Sequence, residues 1–339
     1  MKRLNLIDKV IFLFNSIIAL MLLLSYILPF IEPKRFAFLS VLSLAVPLLI
    51  IINILFLMYW LLKVKKQLIL SLTVLVLGYN YVFSLYKFSS SKNIDSNENI
   101  TIMNYNVRLF NLFEWIPKKS IKQDILDFIN DKSPDIISMQ EYRPDEAILL
   151  KDYYRYEELS GQKIKNGQAI FSKFPIINSG SIEFPNTSNN AIYVDIVKNR
   201  DTIRIYNVHL QSLRIDTNSE KLVNETSENL SRRVSETFVT QQSQTELFLA
   251  HKAKCHYKMI ICGDFNNTAY SYVYKEIKGD LQDTFVESGN GFGRTFNFKF
   301  FPVRIDFILA DKAFQVNSFK TFDIQLSDHY PILTKVSLH

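Results

Sequence analysis

The chain has 339 residues, 48% apolar and 14% aromatic, which suffices for a large core in one big domain or two ordinary ones. Its formal charge of +6 is unevenly placed: residues 1–92 hold ten Lys/Arg against two Asp/Glu, and the remainder holds 29 basic and 31 acidic residues. The high pI therefore reports on the N-terminal part and gives no evidence for a nucleic-acid-binding surface.

Residues 10–31, 36–62 and 68–86 are nearly uncharged and dense in Leu, Ile, Val and Phe. A helix needs about 20 apolar residues to cross the hydrocarbon core, so each stretch reads as a retained transmembrane helix. A buried soluble core does not explain three such runs in succession, and no Ala-x-Ala cleavage chemistry follows the first. Lys2, Arg3 and Lys9 precede the first stretch, and Lys63, Lys65 and Lys66 lie between the second and third. With positive residues kept inside, everything after Tyr86 is expected outside the cytoplasm. The expected setting is a multi-pass protein of a bacterial inner (cytoplasmic) membrane. Asn15, Asn53 and Asn80 are the few strongly polar residues in the spans. No charge marks a pathway, which favours an anchor over a transporter.

Polar, Ser/Asn-rich sequence follows, and the boundaries are placed at 1–88 for the anchor, 89–99 for a linker and 100–339 for a catalytic domain. The pattern then predicts strands at 100–107, 135–140, 168–172, 190–197, 202–209, 258–264, 304–309 and 332–337. Helices are predicted at 119–130 and 228–253, and a surface loop at 211–227. Two central sheets flanked by helices suit this α/β alternation. Cys262, inside Met259-Ile260-Ile261-Cys262, reads as a packed core thiol, and nothing requires a disulfide to Cys255.

Polar groups recur where these strands end: Asn106, Glu141, His209, Asp264 with Asn266, Asp306, and Asp328-His329. Each alone is a turn former or a satisfied surface group. Together they are a set of carboxylates, amides and imidazoles without zinc-type spacing, which suits a hard divalent ion such as Mg²⁺ or Mn²⁺. Phosphodiester hydrolysis needs such a set, because its transition state gathers negative charge on the phosphoryl and leaving oxygens.

The ordered series is Asn106, Gln140-Glu141, Ser172-Lys173-Phe174-Pro175, Asn207-Val208-His209-Leu210, Gly263-Asp264-Phe265-Asn266, Arg304-Ile305-Asp306 and Ser327-Asp328-His329-Tyr330-Pro331. It resembles the endonuclease/exonuclease/phosphatase superfamily, over about residues 100–338. That group has the DNase I-like fold and includes nucleases, sphingomyelinases and inositol polyphosphate phosphatases. The resemblance implies a four-layer α/β/β/α sandwich. It makes Glu141 the principal metal ligand, with Asn106 beside it and Asp328 closing the site. Asp264 would activate or position water, and Asn266 would contact the phosphate or orient that water. His329 would bind or protonate the phosphoryl group, with Asp306 fixing its ring. His209 would give a second phosphate contact or help protonate the leaving oxygen. Arg108 is a further candidate facing the phosphate, and Arg304 pairs with an acid or packs.

Asn267-Thr268-Ala269-Tyr270-Ser271 lacks the Pro often seen after Gly-Asp-Phe-Asn, a departure expected to alter loop geometry more than chemistry. The substrate is expected to be a phosphodiester, either nucleic acid or a phospholipid or sphingolipid head group, with the bilayer as a further partner. A non-catalytic membrane protein that keeps the fold is the alternative from another class.

Overall fold

The computed structural model describes residues 4–88, 98–144, 150, 152–162, 164–214, 226–298 and 301–338. Most of the expected linker and most of the 211–227 loop lie outside the described residues.

The C-terminal part contains twelve described strands. They are β1 (Ile100–Asn106), β2 (Ile136–Tyr142), β3 (Tyr154–Ser160), β4 (Asn166–Ser172), β5 (Ile176–Glu183) and β6 (Asn190–Lys198). They continue with β7 (Asp201–His209), β8 (Lys258–Asp264), β9 (Gln282–Asp283), β10 (Asp306–Ala310), β11 (Phe314–Thr321) and β12 (Ile332–Leu338). All eight expected strands are present. The additional four, β3, β5, β9 and β11, are the edge strands of the two sheets, and β9 has only two residues.

The strands form two mixed six-stranded sheets, ordered β11-β12-β1-β2-β4-β3 and β5-β6-β7-β8-β10-β9. Each has one parallel pair near its centre, β1 with β2 and β7 with β8. Ile102, Ile136 and Ile170 of the first sheet pack against Val194, Ile205, Ile260 and Ile308 of the second. These residues alternate with outward-facing ones, as a period of two demands. The outer face of the first sheet is covered by Ile121, Ile125, Leu126 and Ile129 of helix Ile121–Lys132. The outer face of the second is covered by Phe248 of helix Ser227–Lys252 and by Val273 and Ile277 of helix Tyr272–Lys278. The layers therefore run helix, sheet, sheet, helix, as expected.

In chain order the helices among the described residues are α1 (Leu6–Ser25), α2 (Pro33–Val41), α3 (Val46–Leu62), α4 (Leu68–Leu77), α5 (Tyr79–Leu85) and α6 (Ile121–Lys132). Then come α7 (Ser227–Lys252), α8 (Tyr272–Lys278) and α9 (Thr284–Ser288). The three expected membrane crossings come out differently. Leu6–Phe30 and Pro33–Leu62, with mean hydropathies of 2.5 and 2.8, are long and apolar enough to cross a membrane. The third stretch is α4 and α5 meeting at 83°, and is a crossing only if the bent pair counts as one. The ten residues of α4 span only about 15 Å, half the hydrocarbon thickness. The bend falls at Gly78, where a Cβ would lie 2.0 Å from the Tyr26 ring.

Polar side chains tie these helices together. Asn15 donates to Ser71 (2.7 Å) and accepts from the Trp60 indole (2.9 Å), joining α1, α3 and α4 through buried hydrogen bonds. At one end of the bundle Asp8 bonds Lys63 and Tyr59. At the other, Tyr26 stacks on Tyr81 at 4.8 Å.

That second end meets the C-terminal part. Tyr81 stacks at 6.1 Å on Tyr270, whose hydroxyl donates to the Tyr81 carbonyl. The Lys34 amide of α2 donates to Gln242 of α7 (2.8 Å), and its ammonium pairs with Glu246. Lys87 and Gly291 exchange both backbone hydrogen bonds, at 2.8 and 2.9 Å. The free thiols are as expected: Cys262 is buried in the core, and Cys255 is partly exposed.

Candidate active site

Strand register assembles the polar residues before any side chain is considered. On adjacent strands β7, β8 and β10, His209 pairs with Asp264, and Asp264 with Asp306. On the first sheet Asn106 closes β1 opposite Gln140 of β2. One residue later the β2–β4 ladder slips between Met139 and Tyr142. There Glu141 takes a left-handed φ of 49°, which turns its carboxylate out of the ladder.

The two sheets meet at this rim. The Asn106 amide nitrogen lies 3.1 Å from Asp264 Oδ2 and 3.3 Å from Glu141 Oε1. Behind it Gln140 donates to Asn207 (2.6 Å) and Asn104 (2.8 Å), an amide bridge through the buried space between the sheets. Asp264 Oδ1 accepts from the Asn266 backbone (2.8 Å), and the Asn266 side chain donates to the Leu210 carbonyl (3.0 Å). His329 Nδ1 lies 2.9 Å from Asp306 Oδ2, and its Nε2 lies 3.6 Å from Asp264 Oδ2. His209 Nε2 is 3.8 Å from the same Asp264 oxygen. Ser327 Oγ donates to the Asn106 carbonyl at 2.9 Å, which holds the Ser-Asp-His turn against the end of β1.

Burial sorts the charges of this cluster. It pushes the Asp264 carboxyl up to about 7, against the pull of His329. Glu141 is also raised, first by burial and then by the charge on Asp328. Burial alone would lower His329, but the charges on Asp306 and Asp264 outweigh it and hold the ring well above the ordinary imidazole range. His209 has Asp264 alone, at 3.8 Å, and no counterpart of Asp306: burial and the neighbouring His329 lower it to about 3, so it is neutral at physiological pH. The two histidines thus differ in charge because only one faces two carboxylates.

Asp328 Oδ2 pairs with Arg108 at 3.2 Å, and that guanidinium lies 4.3 Å over the Trp115 ring. Arg108–Asn111 all have φ between 41° and 60°, a left-handed run that turns Arg108 toward the cleft. Arg304, by contrast, is buried 2.7 Å from Asp283 between Phe285 and Phe307, a packing role. Ser172 closes a turn with Phe174, and Lys173 bonds Ser133.

All eight sequence-derived site residues therefore gather at one rim. Sequence reasoning passed over Thr295, whose hydroxyl accepts from the backbone of Ile305 and Asp306. It also passed over Trp115, and over the inter-sheet roles of Asn104, Gln140 and Asn207, although amides inside apolar strands were a visible signal.

The carboxylates of Glu141 and Asp328 offer oxygen ligands that suit a hard divalent cation, with a repulsion between them that a cation would relieve. The Asn106 amide stands beside them with its nitrogen toward Glu141 and its oxygen on the Arg108 backbone. Among the described residues Asp264, Asp306 and His329 also bring ligand atoms within 4.8 Å of one another. There, however, the Asp306–His329 bond already occupies one ring nitrogen.

Residues 103–329 match the model of the Endonuclease/Exonuclease/phosphatase family. The chain belongs to this family. A second match, over residues 8–85, is to a domain of unknown function, DUF8431. No curated protein sequence matches. The family fold recurs in the human Nocturnin catalytic domain with bound sulfate, with 20% identity and a TM-score of 0.55 over 71% of this chain and 94% of that one. A family member from Bacteroides vulgatus shows 20% identity and a TM-score of 0.54, over 71% and 99% of the two chains. D. rerio TDP2 complexed with a single-strand DNA product shows 14% identity and a TM-score of 0.53, over 71% and 100%. At such identities the family likeness to these structures is one of fold.

Proposed function

We propose that the chain is a membrane-anchored, divalent-metal-dependent hydrolase of phosphodiester bonds. The observation that carries this reading is the convergence of Asn106, Glu141, His209, Asp264, Asn266, Asp306, Asp328 and His329 at the meeting of the two sheets. Glu141, Asn106 and Asp328 would hold the cation, Mg²⁺ or Mn²⁺, which when bound supplies charge to neutralise the phosphoryl oxygens.

The chain's own residues account for the proton movements. Asp264, raised by burial, takes a proton from the water that attacks phosphorus. His329, held protonated by Asp306, gives its proton to the alkoxide oxygen as the P–O ester bond breaks. One phosphomonoester and one alcohol result. The 3.6 Å between Asp264 and His329 lets the proton on the carboxyl return to the ring. Neutral His209 and the Asn266 amide orient the phosphate by hydrogen bonds. Arg108 adds a positive charge at the same mouth.

The two ends of the bundle support a location. Lys63, Lys65 and Lys66 cluster at the Asp8 end of α1, and the catalytic part docks at the Tyr26 end, about 30 Å away along twenty helical residues. With positive residues inside, this supports a catalytic part on the extracytoplasmic side of a bacterial inner membrane.

The test is hydrolysis of bis(4-nitrophenyl) phosphate by the full chain in nanodiscs with Mg²⁺ or Mn²⁺. Turnover that disappears with chelator and in both Glu141→Ala and His329→Ala supports the reading. A wild-type chain inactive on this ester and on DNA, RNA and lipid panels would instead be a fold retained without catalysis.

A further inference from the structure

The catalytic cleft is not built by the catalytic part alone. It has a volume of about 820 Å³, and its lining includes Glu141, Asp264, Asn266 and His329 on one side. Leu44, Ala45, Pro47 and Leu48, from the N-terminal helices, line another. They lie where the turn Leu42–Ala45 hands over to α3. Ala45 and Leu48 are exposed there, within the apolar stretch Pro33–Leu62. Phe298 and Phe301 extend the apolar lining from the catalytic part.

Three contacts fix this wall in place. Lys34 of α2 is bonded to Gln242 and Glu246 of α7. Tyr270, three residues beyond the cleft-lining Asn267, is stacked on Tyr81. Arg304 reaches the Ser84 carbonyl at 3.5 Å. A cleft of this size accommodates a ligand of a few tens of atoms, and a polar rim joined to an apolar wall selects one that is polar at one end only.

A nucleic-acid strand fits this cleft poorly. It needs cations along the backbone track and bases stacked on aromatic faces. Here the bank from the N-terminal helices is aliphatic, and the aromatic rings, Trp115, Phe296, Phe298 and Phe301 among them, belong to the catalytic part. Two of the three lining arginines are committed, Arg108 to Asp328 and Arg304 to Asp283, leaving Arg214. Residues 93–339 also carry slightly more acidic than basic side chains.

We propose that the substrate is an amphiphilic phosphodiester of the bilayer, its phosphate at the Glu141–Asp264–His329 rim and its hydrocarbon along Leu44, Ala45, Pro47 and Leu48. This rests on the hydrolase reading above and assigns that site its substrate class. Water adds to phosphorus and one P–O ester bond breaks, releasing a phosphomonoester and an alcohol, one of which keeps the chain.

A series of 4-nitrophenyl alkyl phosphates, methyl to octyl, below their micellar concentrations, tests this with the full chain in nanodiscs. Burial of each methylene against the wall raises kcat/KM, by up to about fourfold per methylene. Leu48→Asn and Ala45→Trp, one making the wall polar and the other filling it, flatten that dependence. A folding defect would instead lower every member of the series by the same factor. Turnover of the series with no chain-length dependence in the wild type overturns the lipid assignment and leaves the hydrolase reading standing. So does a kcat/KM on a single-stranded oligonucleotide that exceeds that on the octyl ester. No metal-dependent turnover of any ester or oligonucleotide removes the hydrolase reading, and this inference with it.

Discussion

Asp306 Oδ2 stands 2.9 Å from His329 Nδ1, both side chains buried, so one ring nitrogen is fixed and the other faces Asp264. A positively charged imidazole in so dry a place depends on that carboxylate. Asp306→Asn keeps the shape but removes the charge, and is expected to lower kcat by roughly 10²-fold or more with little change in KM. Steady-state kinetics check this. A fall in KM-controlled binding alone would move Asp306 out of the proton path.

Glu141 and Asp328 repel one another in the protein without a cation. Mg²⁺ or Mn²⁺ is therefore expected to raise the melting temperature of the wild type. At a hundredfold excess over Kd the gain is about 2.7 kcal/mol. Glu141→Ala should lose most of the shift. Thermal melts in metal-titrated buffer measure it, and an undiminished shift in the variant would place the cation elsewhere, with Asp264, Asp306 and His329 the next set to replace.

Gln140 bridges the sheets through Asn104 and Asn207. Gln140→Leu preserves volume but strands acceptors on both amides, at about 1–3 kcal/mol for each buried group left unpaired. A lower melting temperature is expected, with the cation-induced shift retained.

Gly263 has a φ of +155°, and a Cβ there would meet the Val208 carbonyl oxygen at 2.0 Å. Gly263→Ala must therefore push β8 from β7 next to Asp264 and His209. The expected result is loss of activity together with a lower melting temperature. A variant of wild-type stability and activity would contradict the close approach of these strands.

His251, at the end of α7, packs on Tyr193 at 4.7 Å, and its pKa is lowered by burial and then by the charge on Arg204. The fold thus favours its neutral form. Its stabilising contribution is present above the ordinary imidazole pKa of about 6.5 and is lost as pH falls through that value toward the lowered one. Melting temperatures at pH 7.5 and 5.5 should differ more in the wild type than in His251→Gln.

The sequence was most legible where one physical signal dominated. Strand-end polar residues in β1, β2, β7, β8 and β10 converge because period-two apolar runs force those strands into two sheets, and the sheets share an edge of polar termini. Two of the three expected membrane crossings appear as single long helices, and the third is a bent pair because hydropathy counts residues and is blind to the bend at Gly78. The missing Pro after Gly-Asp-Phe-Asn was visible, but its consequence was not. Tyr270 in that segment is the residue on which the helices dock, a contact between residues 189 positions apart. Arg304 looked equally suited to surface and site, and only its burial beside Asp283 decides.

The Tyr26–Tyr81–Tyr270 stack and the Lys87–Gly291 pairing leave the catalytic part no reach. Fourteen residues separate α5 from β1, enough extended chain for roughly 50 Å, yet the two parts are clasped face to face. Such a molecule cannot cast its active centre outward to scan its surroundings. On the membrane-anchored hydrolase reading, a substrate would have to arrive in the plane where the molecule sits, and encounter would be governed by surface density, not by concentration in bulk.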